Sequence, residues 1–269
     1  MKKILLFVSI ALFTVSCNVA TQQKSSESNT NVVAADENTK AVLYMQTAAE
    51  YRALCYQTFN YGKLMLDNYL RRMNISEKYA IVVDIDETIL DNSPHAAQSI
   101  LDGTKYPVGW KEWINQADAQ PIPGAVEFLN YASQKGVDIF YISNRKEVYR
   151  EATLKNLTDA GFPNVEDEFV LLRTETSGKE IRRNKVEETH QIILLFGDNL
   201  NDFLEVFEGK SEQERFQLTD KFHSDFGSRF LVLPNPAYGE WEGALINYDY
   251  TLSQDKQYEM KIGALKGYK

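Results

Sequence analysis

The sequence lacks what several protein classes require. Its 269 residues include two cysteines, Cys17 and Cys55, too few for a disulfide framework or a cysteine-rich zinc site. No apolar run reaches the ~20 residues that a membrane-spanning helix needs; the run Ile4 to Val15 stops short. There is no surplus of positive charge, because 29 Lys and Arg face 38 Asp and Glu, a net charge of −9. That balance excludes a broadly basic binder of nucleic-acid polymers, though not a local pocket for one phosphate group. No internal repeat is visible. What is present suits a globular chain: 43% apolar and 25% charged residues, in a length ample for one large domain or two small ones.

The first residues read as an address. Lys2 and Lys3 precede the apolar run, which ends at Ser16-Cys17. A basic start followed by a short apolar stretch predicts a secretory signal over residues 1–16. The small residue directly before Cys17 resembles a bacterial lipobox, in which the cysteine is lipidated and becomes the mature N-terminus. Thr14 departs from that motif's usual Leu, so an ordinary cleaved signal stays open as the alternative. The segment after Cys17, to residue 39, is rich in Ser, Thr, Asn and Gln and has no aromatic residue. It has too little apolar area to offset its ordering entropy, which predicts a flexible tether over 17–39. Removal of residues 1–16 takes Lys2 and Lys3 away and leaves the rest more acidic still.

The folded part begins at Lys40. Up to Met73 it has no proline and a single glycine, Gly62; Tyr44, Ala48, Tyr51, Cys55 and Phe59 recur at helical spacing, predicting a long helix or a helical pair. The stripe reads as core, with Cys55 a buried thiol. Five short apolar, β-branched runs follow, at 80–86, 138–144, 169–173, 191–197 and 229–233. Helix-like stretches at 124–135, 146–160, 178–189 and 200–207 alternate with them. This pattern predicts an α/β fold, a Rossmann-like parallel sheet with helices on both faces. Residues 93–122, with Trp110, Trp113 and three prolines, read as a small insertion forming a cap rather than as sheet. The whole of 40–269 reads as a single domain.

Ligands of open α/β sheets sit beyond the carboxyl ends of the strands. The first run ends in Asp84-Ile85-Asp86-Glu87-Thr88, and buried carboxylates so close together need a compensating charge. A divalent cation with hard oxygen ligands, Mg²⁺, suits them; an exposed acidic turn is the plainer reading of one Asp-x-Asp. The second run ends in Ser143-Asn144-Arg145 and the fourth in Gly197-Asp198-Asn199-Leu200-Asn201-Asp202, while Lys179 stands at the start of a predicted helix. Carboxylates for a cation, with a hydroxyl and an ammonium for an anion, are what phosphoryl transfer requires.

Asp84-x-Asp86-x-Thr88, Ser143, Lys179 and Gly197-Asp198-x3-Asp202 resemble, in order, the four motifs of the haloacid dehalogenase superfamily. The stretches 83–92 and 193–203 resemble, more narrowly, the paired signatures of class C acid phosphatases, bacterial lipoproteins that hydrolyse phosphomonoesters and often act as 5′-nucleotidases. Pro123-Gly124-Ala125 and the run Leu233 to Gly243 add to the likeness, which spans roughly residues 40 to 250.

The resemblance implies a haloacid dehalogenase-like fold and a role for each residue. Asp84 is the implied nucleophile and Asp86 the general acid and base. Asp84, the Asp86 backbone carbonyl and Asp198 hold Mg²⁺; Thr88, Ser143, Asn144 and Lys179 bind phosphate; Asp202 supports the metal site or orients Lys179. Lys185 competes with Lys179 but lies further into the helix and reads as solvated. Arg145 has a plain reading as a surface charge, and for Arg182 and Arg183 that reading is the preferred one. Tyr238 is the implied stacking platform for a nucleobase, with Trp110, Trp113 and Trp241 weaker candidates. His95 stands where the class C signature has Tyr; it either alters leaving-group selectivity or is a surface histidine without a role. The implied protein is exported and lipid-anchored through Cys17 to a bacterial membrane, the outer membrane of a Gram-negative cell, and acts on small phosphomonoesters such as nucleoside monophosphates. Two alternatives share these residues: a non-catalytic lipid-anchored nucleotide-binding or adhesion lipoprotein, and a phosphotransferase using the same aspartyl-phosphate.

Overall fold

The proline-free N-terminal segment folds as two helices, α1 (Thr30–Thr47) and α2 (Ala49–Leu70), in a computed structural model that describes residues 30–72, 74 and 76–269. The segment 1–16 read as a signal, Cys17 and the first part of the segment read as a tether lie outside the described residues. Among the described residues helix is already present from Thr30, before Lys40, so the end of the segment read as a tether lies in α1. Extended Ala48 (φ −80°, ψ 123°) separates the two helices. On α2 the residues Tyr51, Cys55, Phe59, Gly62 and Leu66 are the buried stripe, and Cys55 is a free, fully buried thiol.

In chain order there follow β1 (Tyr79–Val83), β2 (Leu90–Asp91), α3 (Ser93–Asp102), α4 (Trp110–Gln116), β3 (Gln120–Pro121), α5 (Ala125–Gln134), β4 (Asp138–Lys146) and α6 (Arg150–Asp159). Then come β5 (Val170–Arg173), α7 (Glu180–Glu187), β6 (Gln191–Gly197), α8 (Glu212–Lys221), β7 (Phe230–Val232), α9 (Glu240–Leu245) and α10 (Gln254–Ala264). The five apolar runs are the strands of one parallel sheet, ordered β5-β4-β1-β6-β7. The connections lead to opposite sides of β1, first to β4 and β5 and then to β6 and β7, so the crevice for a ligand opens at its carboxyl end.

Period-two alternation divides the sheet between two cores. Ile81, Val83, Ile139 and Tyr141 pack with α2 and α5, whereas Ala80, Val82, Phe140 and Ile142 pack on the other face with Val186 of α7 and with Phe203 and Phe230. A register shift sets Ala80 opposite Ile192 and Ile81 opposite Leu194, and the extra residue, Ile193, lets two successive side chains enter the larger core.

Two expectations need correction. Residues 200–207 form separate three-residue 3₁₀ turns, Leu200–Asp202 and Glu205–Phe207, because Asp202 folds back to accept a hydrogen bond from the Asn199 backbone at 2.9 Å. The insertion is mainly helical, but it also contributes β3, which pairs antiparallel with β2 in a small separate sheet. Within it His95 is neither free nor idle: its Nε2 lies 3.0 Å from the Val108 carbonyl and its ring meets Trp110 edge-on at 5.1 Å, tying α3 to the loop before α4.

Gly62 marks the closest approach of α2 to the sheet. Phe196 stacks on Phe59 at 5.4 Å and leans on Phe128 at 5.0 Å, and a Cβ on Gly62 would stand 2.5 Å from the Phe196 ring. Gly62→Ala is therefore expected to cost about 1–3 kcal/mol despite alanine's better helix propensity. A urea titration checks this; a variant as stable as the parent would show that the ring can move aside.

Candidate active site

β1 ends at Val83, and the backbone N–H of Asp84 makes one more sheet-like hydrogen bond, to the Phe196 carbonyl at 3.0 Å. The chain then turns tightly about the Ile85 carbonyl, which accepts from Ile89 (3.0 Å) and Leu90 (2.9 Å). This turn leaves Asp84 at the strand end and swings Asp86 toward β4. Glu87, at φ +57°, has a backbone conformation uncommon for a non-glycine residue. Its buried carboxylate accepts from the Asn92 backbone at 2.8 Å and from the Tyr238 hydroxyl.

From β6, Gly197-Asp198 arrives beside Asp84. A Cβ on Gly197 would overlap the Asp202 side chain (2.8 Å to its Cγ), so glycine here is what lets Asp202 fold back. Carboxylate oxygens of Asp84, Asp198 and Asp202 lie within 4.8 Å of one another. Lys179, immediately before α7, bridges two of them: its buried ammonium pairs with Asp84 and stands 2.6 Å from Asp202. Asp198 accepts from Asn235 Nδ2 at 2.7 Å and from Thr88 Oγ1 at 3.3 Å.

The charges are out of balance. Burial pushes the Asp84 carboxyl up; Lys179 pulls it down, but repulsion from Asp202 and Asp86 leaves it at about 7. Asp198 is held well above the carboxylate range by burial and by the charges of Asp202 and Asp84. Burial lowers the Lys179 ammonium, yet Asp202 and Asp84 outweigh it, and its pKa stands above the ordinary lysine value. One ammonium does not neutralise three crowded carboxylates. An all-oxygen, anionic donor set of this kind fits a hard divalent cation.

Asp86 lies to the other side. Arg145, buried at 3% exposure, reaches its Oδ1 with Nη2 at 2.8 Å and Nε at 2.9 Å, and Asn92 Nδ2 donates to the same oxygen at 2.9 Å. Ser143 Oγ, fully buried, is 3.4 Å from Asp86 Oδ2 and accepts from the Arg145 backbone at 3.1 Å. Asn92 Oδ1 in turn accepts from Trp113 Nε1 at 2.8 Å, which joins the insertion to this group. A cavity of about 70 Å³ opens between Asn144, Lys179 and Asp202. A larger one, about 470 Å³, lies by the start of β6 among Tyr69, His190 and Arg229 and includes none of the predicted site residues.

Comparison with known proteins decides the family. The profile of the HAD superfamily, subfamily IIIB (Acid phosphatase), matches residues 4–241. The chain belongs to this subfamily. A class C acid phosphatase from Bacillus anthracis, solved with tungstate bound, is 46% identical with a TM-score of 0.85, covering 87% of this chain and 99% of that one. Among curated proteins, Acid phosphatase 1 of Solanum lycopersicum is 26% identical over 170 residues, and a stem 31 kDa glycoprotein of Glycine max is 24% identical over 177. The matched part is 58% of this chain and 57% of the tomato protein, and 63% of each in the soybean comparison, so the chain spans less than two thirds of these relatives.

In this subfamily IIIB chain, Asp84, Asp198 and Asp202 lie together about Lys179, and Asp86 lies beside Ser143. Thr88 is fully buried with its hydroxyl turned to Asp198, Asn144 is exposed at the cavity rim, and Lys185 is exposed on α7. Tyr238 is 41% exposed, with its hydroxyl on Glu87. The expectation for the arginines fails: Arg183 is buried, donating to the Asn201 and Asp202 carbonyls at 3.3 and 3.0 Å, and Arg182 is partly buried against Ser143 and Asn144. Burial of a residue three or four positions beyond Lys179 follows from helical spacing, a signal that charge alone conceals. Asn92, Glu87 and Asn235, unassigned from the sequence, sit inside stretches that carry the family likeness.

Proposed function

We propose that this protein hydrolyses small phosphomonoesters, nucleoside monophosphates foremost, with the help of Mg²⁺ and through an aspartyl-phosphate on Asp84. The observation that carries the reading is the meeting of Asp84, Asp198 and Asp202 around Lys179, with Asp86 two residues beyond Asp84. Asp84, Asp198 and the Asp86 carbonyl would hold Mg²⁺, which would supply the positive charge an anionic nucleophile needs to approach an anionic ester. An Asp84 carboxylate oxygen attacks phosphorus and the ester oxygen leaves with a proton from Asp86. Asp86 then takes a proton from water, whose oxygen attacks phosphorus and frees Asp84 and inorganic phosphate. Ser143 and Lys179 hold the phosphoryl oxygens while charge spreads over them, and Asp202 keeps the Lys179 ammonium aimed. Tungstate on the Bacillus anthracis relative, an oxyanion of phosphate shape, is consistent with this use of the site.

For the leaving group, the exposed Tyr238 ring offers a stacking surface next to the catalytic loop. In this reading residues 93–122 form the cap, a role supported by the hydrogen bond from Trp113 Nε1 to Asn92 Oδ1 at 2.8 Å, which joins the insertion to the Asp86 group. The basic, apolar and cysteine pattern at the N-terminus supports export and anchoring at Cys17, which puts substrates outside the cytoplasm.

A substrate panel tests the reading: nucleoside monophosphates, sugar phosphates, an aryl phosphate and glycerol 2-phosphate, each with and without EDTA. Phosphate release from nucleotides that stops with EDTA and returns with Mg²⁺ is expected; release from none of them would refute it. Tyr238→Ala should raise KM for a nucleoside monophosphate by roughly tenfold or more, the value of one lost stacking contact. Glycerol 2-phosphate, which has no ring, should be unaffected, and Tyr238→Phe should retain nucleotide affinity.

A further inference from the structure

We infer that Arg182 is a positioning residue for phosphate binding, holding the loop before Lys179 in register with Ser143 at the end of β4; this rests on the phosphomonoesterase reading above. Ser143 and Lys179 come from different elements, and nothing in the strand pairing fixes the spacing between them. β5 lies between β4 and α7 in the chain, with an irregular connection from Thr174 to Gly178. Something must set that connection against β4.

Arg182 meets this need from the first turn of α7. Its Nη1 donates to the Ser143 carbonyl at 2.5 Å and, at the limit of hydrogen bonding, to the Leu171 carbonyl at 3.5 Å. Its Nη2 donates to Asn144 Oδ1 at 2.8 Å and to the carbonyls of Ser177 and Gly178, both at 3.1 Å. All of these acceptors are neutral oxygens. Two belong to the Ser143-Asn144 pair, and two to the residues directly before Lys179.

The chemistry of the side chain explains the choice. A guanidinium presents its donors in a rigid planar fork, so one group can address two chain segments at a fixed separation. A lysine ammonium in the same place keeps the charge but has no such fork. The arrangement has a cost that a surface residue does not bear: burial, with Arg173 and Arg183 nearby, pulls the Arg182 pKa down to about 10. Arg183, next in the chain, reaches the opposite side of α7 to the Asn201 and Asp202 carbonyls, so the clamp on Ser143 is particular to Arg182.

The test compares the full protein with Arg182→Lys and Arg182→Ala. Three readouts are needed: competitive inhibition by inorganic phosphate, kcat and KM for an aryl phosphate, and amide hydrogen exchange over residues 174–180. The unsubstituted protein is measured first; if it neither releases phosphate nor is inhibited by it, the phosphatase reading falls, independently of any variant. Given an active parent, Arg182→Lys should weaken phosphate inhibition roughly tenfold and lower kcat/KM by about 100-fold, as a misplacement of ~1 Å does. Exchange at Ser177–Lys179 should rise, with the melting temperature close to the parent's. Millimolar guanidinium ion should restore part of the phosphate affinity to Arg182→Ala and none to Arg182→Lys, a distinction that a merely structural role does not make. Parent-like phosphate inhibition in folded Arg182→Lys, whatever the exchange shows, overturns the proposal.

Discussion

Asp84→Asn is expected to lower phosphate release by about four orders of magnitude or more, the scale of losing a nucleophile. The substitution is nearly isosteric, and Lys179 keeps its second partner, Asp202, at 2.6 Å, so the fold should persist. An amide oxygen at the same position is a poor nucleophile and cannot form the aspartyl-phosphate. The matching measurement is trapping of the intermediate by rapid acid quench, which should label the parent and leave the variant unlabelled. Turnover within tenfold of the parent would move the nucleophile elsewhere; Asp86 is the only other carboxylate at this turn that faces β4 and Ser143. Asp86 is a poor substitute, because Arg145 and Asn92 both bind its Oδ1 and leave that oxygen engaged.

The site as a whole is built from an excess of acid. Asp84, Asp86, Glu87, Asp198 and Asp202 crowd around Lys179 and Arg145, and only part of that negative charge has a protein partner. This is the net charge of −9 expressed locally. The oxygen donor set fits a hard divalent cation, and in the cation-free protein the raised pKa values of Asp84 and Asp198 let bound protons offset part of the charge. Glu87 shows how the excess is managed away from the metal ligands. It is buried, held above the carboxylate range by burial and by Asp86 and Asp198, and it meets a phenol and a backbone N–H instead of a cation.

Most of the sheet was legible because each central strand is buried on both faces and so reads as a short continuous apolar run. Its end points were not, since the hydrophobic signal continues through Ile85 after β1 has stopped at Val83 and the loop has begun. The converging acids were legible for a related reason, as polar residues directly after apolar strands. The hydrogen-bond partners of those acids were hidden. Arg182 and Arg183 look like a solvated pair on a charged helix, because the acceptors that draw them inward are backbone carbonyls, which no residue type advertises. The 200–207 segment misled in the opposite way: Leu200, Phe203 and Phe207 have helical spacing, but the Asp202 carboxylate competes for the backbone and breaks the helix into two turns.

Asp198→Asn should make the cation-free protein more stable at pH 7.5 while removing its response to Mg²⁺. The sign follows from Asp84 and Asp198, whose folded pKa values lie above those of an unfolded chain. Between the ordinary aspartate value near 4 and the Asp84 value of about 7, the folded state keeps protons that the unfolded state has released. Stability of the cation-free protein therefore falls as pH rises through that window and stays low above it, by on the order of 4 kcal/mol for the Asp84 shift taken alone. Replacing Asp198 by a neutral amide removes a carboxyl whose ionisation is opposed by burial and by Asp202 and Asp84, and takes one acidic neighbour away from Asp84. It can keep one of the two hydrogen bonds now made with Thr88 and Asn235, so the loss on that side is about 1 kcal/mol. The net expectation is a cation-free melting temperature several degrees above the parent's at pH 7.5, at about 2–4 °C per kcal/mol for a chain of this size. At pH 4.5, where both proteins hold the relevant protons, the gap should close. Added Mg²⁺ should raise the parent's melting temperature at pH 7.5 and leave Asp198→Asn unmoved, with turnover in the variant down by about three orders of magnitude. A variant that melts below the parent without cation, and still shifts with Mg²⁺, would show that the three carboxylates are balanced within the protein and do not form the cation site.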